Sequence, residues 1–359
     1  MKKYAYLLSI VVVMLAFALP VSAESRADDY ISRFNDILPE DFFGIAEDSD
    51  SLIENFSLEG LLTEIASAVS GEGSSVSAFF LTLVGLLTIS SLALGVEESF
   101  APQIRAAVGI IISLSVFPTV SAALSSVRSS LTELGNFFTA LTPITVGMTA
   151  LGGGAATSAV QAAGMYTTLT VVGQVGREIF LTIASFGLAV ASISVLGNRS
   201  VVAVGKGIRS LFLWSVGIFT TILTAVFSLQ TVIASSADSA AMRGAKYMAS
   251  GLIPVVGTAV SGALSTLAAG LSYAKALVGG GAIFVIISLA ISPLVMLLLY
   301  RLALTVAISL ADLVGDDSCS GLFMGFRFSF DMTIAVYVLS VMVYLFEIIL
   351  FLNVGVALL

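Results

Sequence analysis

Long uncharged apolar runs restrict the fold of this 359-residue chain more than any other feature. An α-helix needs ~20 apolar residues to cross the hydrocarbon core of a bilayer, and most of the runs reach that length. Counted between charged residues, they are 73–96, 106–127, 134–176, 179–198, 210–237, 247–274 and 276–300, with a final stretch, 328–356, that contains two charges. A mean hydropathy of +1.07 also lies outside the range of soluble domains. The sequence therefore predicts an all-α, polytopic helical membrane protein.

The number and direction of the spans follow from the basic residues. The run 134–176 is long enough for two spans separated at its glycine triplet. With two spans there, the most basic loop, which contains Arg199, Lys206 and Arg209, lies in the cytosol, as the positive-inside rule favours. About eight spans are therefore expected, and the segment 247–274 either crosses the membrane or re-enters it.

This cytosolic basic loop, residues 199–209, has two interpretations. The simpler one is a topology determinant. The other is a site that binds anionic lipid or a partner protein. The loop is short and contains no aromatic residue, which argues against binding of nucleic acid.

An export signal is predicted at the start of the chain. Lys2 and Lys3 precede an apolar run, and small residues then lead to a signal-peptidase site after Ala23. Residues 1–23 are therefore expected to be a signal peptide. The alternative is an uncleaved first membrane anchor, but the apolar run is shorter than the ~20 residues of a spanning helix. In both cases the following segment is exported.

The exported segment, residues 24–77, contains the surplus negative charge. It holds thirteen acidic and two basic residues, whereas residues 78–359 hold ten acidic and eleven basic residues. Apolar residues at helical spacing predict short helices in this segment. A solvated acidic face explains its charge better than a calcium site, because the loop spacing of a known calcium site is missing. A linker at residues 71–75 is expected to join it to a polytopic transmembrane domain, residues 78–359.

Histidine is missing from the chain, and cysteine occurs only once, as Cys319. This removes the commonest general base and excludes a cysteine cluster for zinc or iron–sulfur. Signatures of zinc proteases, kinases and nucleophile-elbow hydrolases are absent, and Gly205-Lys206-Gly207 lacks the rest of a phosphate loop. An intramembrane hydrolase would need a catalytic pair that the sequence does not offer. No enzymatic activity, cofactor or metal site is therefore expected.

Small residues recur every four positions within the segment 247–274. Such rows let another helix approach closely, and irregular backbone at membrane depth must be buried in protein or line water. The candidate helix-packing or gate residues are Pro254, Gly257, Ser261, Gly262, Ser265, Thr266 and Gly270. Packing within one subunit is the simpler interpretation, and a pore or an oligomer contact is the alternative.

Charged residues late in the chain are the candidates for chemistry inside the membrane. Asp331 and Glu347 lie in an otherwise uncharged stretch, and intramembrane carboxylates usually face the bundle interior or a wet cavity. An ion or proton path is one interpretation of them. The charges between Asp312 and Arg327 have a simpler explanation as a membrane-surface loop, because Gly315 and the nearby serines favour a loop.

Three short blocks of the sequence indicate a family. The most recognisable block is Ser235-Ser236-Ala237-Asp238-Ser239, followed by Arg243, Lys246 and Ile253-Pro254-Val255-Val256-Gly257. The others are Gly152-Gly153-Gly154-Ala155-Ala156 after Thr142-Pro143, and Gly315-Asp316 followed by Cys319. Together with the order of signal peptide, exported segment and polytopic body, these blocks resemble the stage III sporulation protein AE family over almost the whole chain.

The resemblance implies a non-enzymatic, multi-pass membrane subunit of the channel or feeding apparatus between the mother cell and the engulfed forespore. That apparatus is required for endospore development and late forespore gene expression. The implied location is the mother-cell membrane that faces the forespore, with residues 24–77 outside. The implied partners are other sporulation channel-complex membrane proteins within the lipid bilayer, and the rows of small residues in 247–274 leave a homo-oligomer as an alternative. The family has no settled catalytic residues.

The competing function is a secondary transporter of a small solute that uses the intramembrane carboxylates. Segments interrupted by glycine and proline, together with Asp331 and Glu347, favour this function. Transporters often consist of two similar halves. Residues 78–197 and 210–356 show no convincing repeat.

Overall fold

The protein is helical wherever its structure is described. The computed structural model describes residues 29–38, 58–94, 101–152, 155–193, 199–252 and 257–353, and these ranges contain helices and short turns but no β-strand. The predicted all-α fold is confirmed. The predicted signal peptide, residues 1–23, lies outside the described residues, and so does Pro254.

From α2 onward the helices follow one another with short junctions, and α4, the π-helix and α5 form one continuous rod. In chain order they are α1 (29–36), α2 (Leu58–Leu94), α3 (Ala101–Leu151), α4 (Ala155–Thr170), a π-helix (Val171–Phe180), α5 (Leu181–Ile193), α6 (Arg199–Leu252), α7 (Gly257–Val314) and α8 (Asp317–Asn353). The π-helix makes i→i+5 hydrogen bonds and connects α4 directly to α5.

Six helices of the described part are long and apolar enough to cross a membrane. Two of these stretches, Ala106–Leu151 and Ala269–Val314, have 46 residues each. At ~1.5 Å per residue each is about 69 Å long, more than twice the ~30 Å hydrocarbon core. The predicted number of about eight spans is not confirmed. That prediction ended a span at Arg128 and Glu133, but both side chains are exposed on α3, so the helix continues past them.

The predicted break at the glycine triplet is present, because α3 ends at Leu151 and α4 begins at Ala155. The two helices form an antiparallel hairpin. Thr145 of α3 donates to the Sδ atom of Met165 at 3.1 Å, and Thr149, one turn later, hydrogen-bonds Gln161, one turn earlier on α4.

A tight turn joins α7 to α8, and the predicted surface loop from Asp312 to Arg327 is wrong. Only Gly315 and Asp316 lie between the two helices. Gly315 has a φ of 77°. Its N–H donates to the backbone carbonyl of Asp312, and the N–H of Asp316 donates to the backbone carbonyl of Ala311. This is a Schellman helix end, in which glycine takes the left-handed conformation and the last carbonyls are satisfied. A glycine stop is compatible with immediate helix re-initiation, which the loop prediction overlooked.

The α7–α8 hairpin occupies the centre of the bundle. Helices α2, α3 and α5 pack against it, and α8 also contacts α4, α6 and the π-helix. The most apolar part of α8 is 50% buried, whereas that of α6, within Val204–Gln230, is 17% buried. Helix α8 is therefore the core element, and α6 lies at the periphery.

The short helix α1 packs on this body through two aromatic side chains. Phe34 is 2% exposed, and a Cβ atom placed on Gly281 of α7 would lie 2.9 Å from its ring. A Cβ atom on Gly147 of α3 would clash with the hydroxyl of Tyr30. Part of the predicted exported segment thus contacts the membrane-type bundle where two glycines leave room for the rings.

Two predicted irregular segments are at least partly helical. Residues 71–75, predicted to be a linker, lie inside α2, which runs through the predicted boundary between residues 77 and 78. The segment 247–274 is divided between the end of α6 and the start of α7, and residues 253–256 lie outside the described residues.

Substituting Gly281 by alanine is expected to weaken the docking of α1. The added methyl group would meet the buried ring of Phe34, and overpacking of this kind costs about 1–3 kcal/mol. We expect a lower melting temperature in detergent and faster tryptic cleavage after Arg33, whose side chain is exposed.

Gly280→Ala is the matched control, because nothing lies within 4 Å of a Cβ atom at that position. It is expected to be neutral or stabilising by up to about 1 kcal/mol, since alanine favours helix over glycine. Equal effects of the two substitutions would contradict the docking geometry.

Candidate functional site: polar side chains within the helix bundle

The carboxylate of Glu347 is buried and joins three helices. Glu347 lies on α8 and is 2% exposed. The hydroxyl of Thr168 on α4 donates a 2.8 Å hydrogen bond to its Oε1 atom, and the side chain of Gln230 on α6 forms another hydrogen bond with it. A buried carboxylate needs such donors, because desolvation without them costs several kcal/mol. The interaction therefore fixes α4 and α6 against α8.

The close approach of α4 and α6 at this site depends on a glycine. A Cβ atom placed on Gly164 would lie 2.6 Å from the Nε2 atom of Gln230. One turn earlier on α4, Gln161 accepts the hydroxyl of Thr149 from α3. Polar contacts at this end of the bundle thus link α3, α4, α6 and α8.

Lys275 adds a buried positive charge near the same end of the bundle. It lies on α7, is 5% exposed, and its Nζ atom is 4.8 Å from the ring centre of Phe351. Phe351 follows Glu347 by one turn of α8. Cation–π contacts strengthen when the cation is desolvated, so this pair helps to hold the N-terminal part of α7 on α8.

Asp331 occupies a different environment on α8. Its side chain is 33% exposed, and it accepts a hydrogen bond from Nε of Arg301 on α7. Nε of Arg327, one turn earlier on α8, lies 3.9 Å from the second carboxylate oxygen. Asp331 therefore forms a half-buried ion cluster at the surface of the hairpin.

The two predicted intramembrane carboxylates do not form one site. Asp331 and Glu347 are about 24 Å apart along α8 at ~1.5 Å per residue. One lies at the surface with arginines, and the other lies in the core with hydroxyl and amide groups. Whether either carboxylate forms part of an ion path stays a prediction.

The other predicted residues lie on α6 and α7. Arg199 begins α6, and its side chain lies outside the description. Lys206 and Arg209 are exposed on α6, and the guanidinium of Arg209 lies 5.0 Å from the ring centre of Phe328 on α8. Gly270 is exposed, with open space around it. The remaining small residues form the first turns of α7 without described side chains, namely Gly257, Ser261, Gly262, Ser265 and Thr266.

Sequence reasoning missed Thr168, Gln230 and the role of Asp316. Thr168 and Gln230 lie in uncharged runs among other hydroxyl-bearing residues, and nothing local relates them to a carboxylate far along the chain. Asp316 is 1% exposed, and its Oδ1 atom accepts the N–H of Cys319 at 3.1 Å, which is an N-cap of α8. The hydroxyl of Ser90 on α2 donates to its Oδ2 atom. Asp316 therefore starts α8 and joins α2 to the turn.

The Asp316 carboxylate is stabilised in its charged form. Burial raises the pKa of this group, but hydrogen bonds donated by Ser90 and by the backbone at Cys319 and Ser318 outweigh burial and hold the pKa below its usual range. Because the pKa is lowered in the folded protein, the stabilisation is complete above the unfolded-state pKa. It is lost as the pH falls through the folded-state value.

Removing the donor of Thr168 is expected to destabilise the protein. Thr168→Val keeps the shape of the side chain but leaves the buried Glu347 carboxylate with one donor fewer, at a cost of about 1–3 kcal/mol. The measurement is the melting temperature in detergent. Thr167→Val is the control, because Thr167 is exposed and its hydroxyl bonds only the carbonyl of Ala163. A similar loss in both variants would contradict the proposed network.

The stability difference between wild type and Asp316→Asn is expected to depend on pH. At neutral pH the wild type melts at a higher temperature, and the gap narrows as the pH falls from the usual range of an aspartate to below it, where the carboxylate is protonated. Thermal melts across that range check this expectation. The exposed Asp312 provides the control variant Asp312→Asn, which should keep the pH profile of the wild type. A constant gap for Asp316→Asn would refute the role of its charge.

Comparison with known proteins identifies the family. The family model described as stage III sporulation protein AE matches residues 45–357. Stage III sporulation protein AE of Bacillus subtilis (strain 168) is 20% identical over 286 residues, which cover 77% of this chain and 72% of that protein. No solved structure matches the chain. The family predicted from the three sequence blocks is confirmed, and the chain belongs to the stage III sporulation protein AE family.

Proposed function

We propose that this protein is a non-enzymatic subunit of a membrane complex that connects the mother cell with the forespore. The match of the family model to residues 45–357 is the observation that supports this proposal most strongly. The matched region includes all six apolar helices of membrane length. The protein is therefore a sporulation membrane protein, and its place in a channel or feeding apparatus is the proposal.

The buried contacts favour a subunit whose helices form one firm body. Glu347 links α4, α6 and α8, and Asp316 links α2 to the α7–α8 turn. A subunit that supports or gates a multiprotein channel needs such a body as well as surfaces for neighbours. Exposed apolar side chains on α6, among them Trp214 at 72%, provide a surface for lipid or for other subunits of the complex, including further copies of the chain.

The proposed orientation has residues 24–77 outside, between the two membranes, after removal of the signal peptide, residues 1–23. The direction of the helices supports it. The contact of Ser90 with Asp316 brings the end of α2 to the α7–α8 turn. Helix α5 ends at the same end of the bundle, because Ala191 lies near Gly325 of α8, and Arg199 then begins α6. Helix α1 contacts α3 near its opposite end, at Gly147. The basic residues from Arg199 to Arg209 are thus separated from α1 along the bundle, as the positive-inside rule requires.

A photo-crosslinker in the outer segment is expected to capture other sporulation membrane proteins. Ser70 is exposed on α2, within residues 24–77, and accommodates the probe without loss of a buried contact. Crosslinked material from sporulating cells, identified by mass spectrometry, should contain the same few membrane proteins in repeated experiments. Ser210, exposed on α6 near the basic residues, is the matched control position, and its probe should not capture those proteins.

Capture of no sporulation protein from Ser70, together with isolation of a lone monomer under conditions that preserve other such complexes, would contradict the proposal.

The buried Glu347 favours the alternative function, a secondary transporter of a small solute, because transporters place carboxylates in the bundle core. Solute uptake by proteoliposomes that Glu347→Gln abolishes, without a change in melting temperature, would support that alternative.

A further inference from the structure

Two arginines lie beside one carboxylate on the surface of the α7–α8 hairpin, and a third arginine approaches the same stretch of α8 from α6. Asp331 accepts a hydrogen bond from Arg301 and lies 3.9 Å from Arg327. The side chains of Arg301 and Arg327 are 42% and 35% exposed. Arg209 joins them from α6, because its guanidinium packs 5.0 Å from the ring centre of Phe328, the residue after Arg327. We call these four residues, Arg209, Arg301, Arg327 and Asp331, the arginine cluster.

The arginine cluster has more positive than negative charge. One carboxylate lies within 4 Å of two guanidinium groups, and no further carboxylate pairs with these two or with Arg209 within the part of the chain that the structure describes. Asp331 accepts a hydrogen bond from Nε of Arg301 and lies near Nε of Arg327. The terminal nitrogens, Nη1 and Nη2, of both guanidinium groups remain available to a ligand. A guanidinium fork matches the oxygens of a phosphate group.

The surroundings of the cluster are apolar and exposed. Leu298, Leu302 and Met324 are 47%, 58% and 49% exposed on the same hairpin, and Leu213 and Trp214 of α6 are 57% and 72% exposed. Excess charge beside lipid-facing side chains is costly unless a counter-ion neutralises it. An anionic phospholipid combines a negative head group with acyl chains that suit apolar side chains.

The cluster lies about 15–20 Å from the α7–α8 turn, because Arg327 follows the start of α8 by ten residues and Arg301 precedes the end of α7 by thirteen. A Cβ atom on Gly325, just before Arg327, would lie 2.8 Å from the Cβ atom of Ala191. Ala191 is in the last turn of α5, which ends at Ile193, and Arg199 follows at the start of α6. The cluster is therefore within a few turns of the basic end of the bundle. Arginine side chains at such positions reach toward the membrane surface.

We propose that Arg209, Arg301 and Arg327 bind the phosphate of an anionic phospholipid, and that Asp331 orients Arg301 and Arg327 for this contact. The site uses side chains from α6, α7 and α8. Bound lipid would therefore hold the peripheral helix α6 against the central hairpin. This inference requires only that the helices span a membrane, so it stands or falls independently of the proposed place in a sporulation complex.

Lipid titrations of the full-length protein in detergent test the site. Phosphatidylglycerol is expected to raise the melting temperature, and the same amount of phosphatidylcholine is not. In the double variant Arg209→Gln/Arg327→Gln, the apparent affinity for phosphatidylglycerol should fall by about tenfold or more, since each arginine near an anionic head group contributes substantially to binding. Arg301 is left intact in this variant, because its bond to Asp331 also joins α7 to α8.

The control is Arg128→Gln/Arg177→Gln, which removes the same charge from arginines of α3 and the π-helix. It should bind phosphatidylglycerol as the wild type does. An equal loss in the control would show a general charge effect and overturn the site. Equal stabilisation by phosphatidylcholine, or by glycerol phosphate or inorganic phosphate alone, would overturn the assignment to an anionic lipid. Lipid phosphorus retained through purification provides a second measurement if the double variant melts at a lower temperature without lipid.

Discussion

The contact between α7 and α8 is the interaction on which the rest of the bundle depends. Lipid tails are as apolar as the side chains of these helices, so burial of apolar surface alone gives little preference for one helix arrangement. Close packing and internal hydrogen bonds must provide it. Gly279 of α7 meets Leu352, and on the other side of α8 Met332 and Gly325 meet Gly187 and Ala191 of α5. Glycine brings the backbones together at several heights, and α8 is held from both sides.

Polar groups then specify which helices surround this hairpin. Asp316 at one end accepts hydrogen bonds from α2 and from its own helix start, whereas Glu347 near the other end joins α4 and α6. In the middle of the bundle, the hydroxyl oxygens of Ser130 on α3 and Tyr337 on α8 form a 2.8 Å hydrogen bond. Apart from the cap at the start of α8, the partners are separated by long stretches of sequence, and a hydrogen bond lost in an apolar interior leaves its partner unsatisfied. These contacts therefore favour one arrangement of helices over others with similar apolar packing.

The helical class and the break at the glycine triplet could be predicted, because each depends on residues that are adjacent in the sequence. Gly315 indicated an interruption, but the restart of a helix at Asp317 was predicted wrongly as a loop. The helix lengths could not, since charges such as Arg128 point outward from α3 and do not interrupt its hydrogen bonds. Glu347 was identifiable as a lone carboxylate in an apolar stretch. Its partners Thr168 and Gln230 were not, because they come from helices whose rotation about their axes is fixed only by packing.

The π-helix sets the rotational phase between the two halves of its rod. Its wider turns mean that α4 and α5 present different faces to α8 than an uninterrupted α-helix would. With the π turns in place, the rod contacts α8 at three levels. Thr168 contacts Glu347, Gly176 lies against Ser340, and Gly187 lies against Met332. If residues 171–180 formed an ordinary α-helix, the rod would keep either the Thr168–Glu347 contact or the Gly187–Met332 contact. The change in rotation would separate the other pair. The winding of these ten residues therefore determines which side chains of α5 face α8.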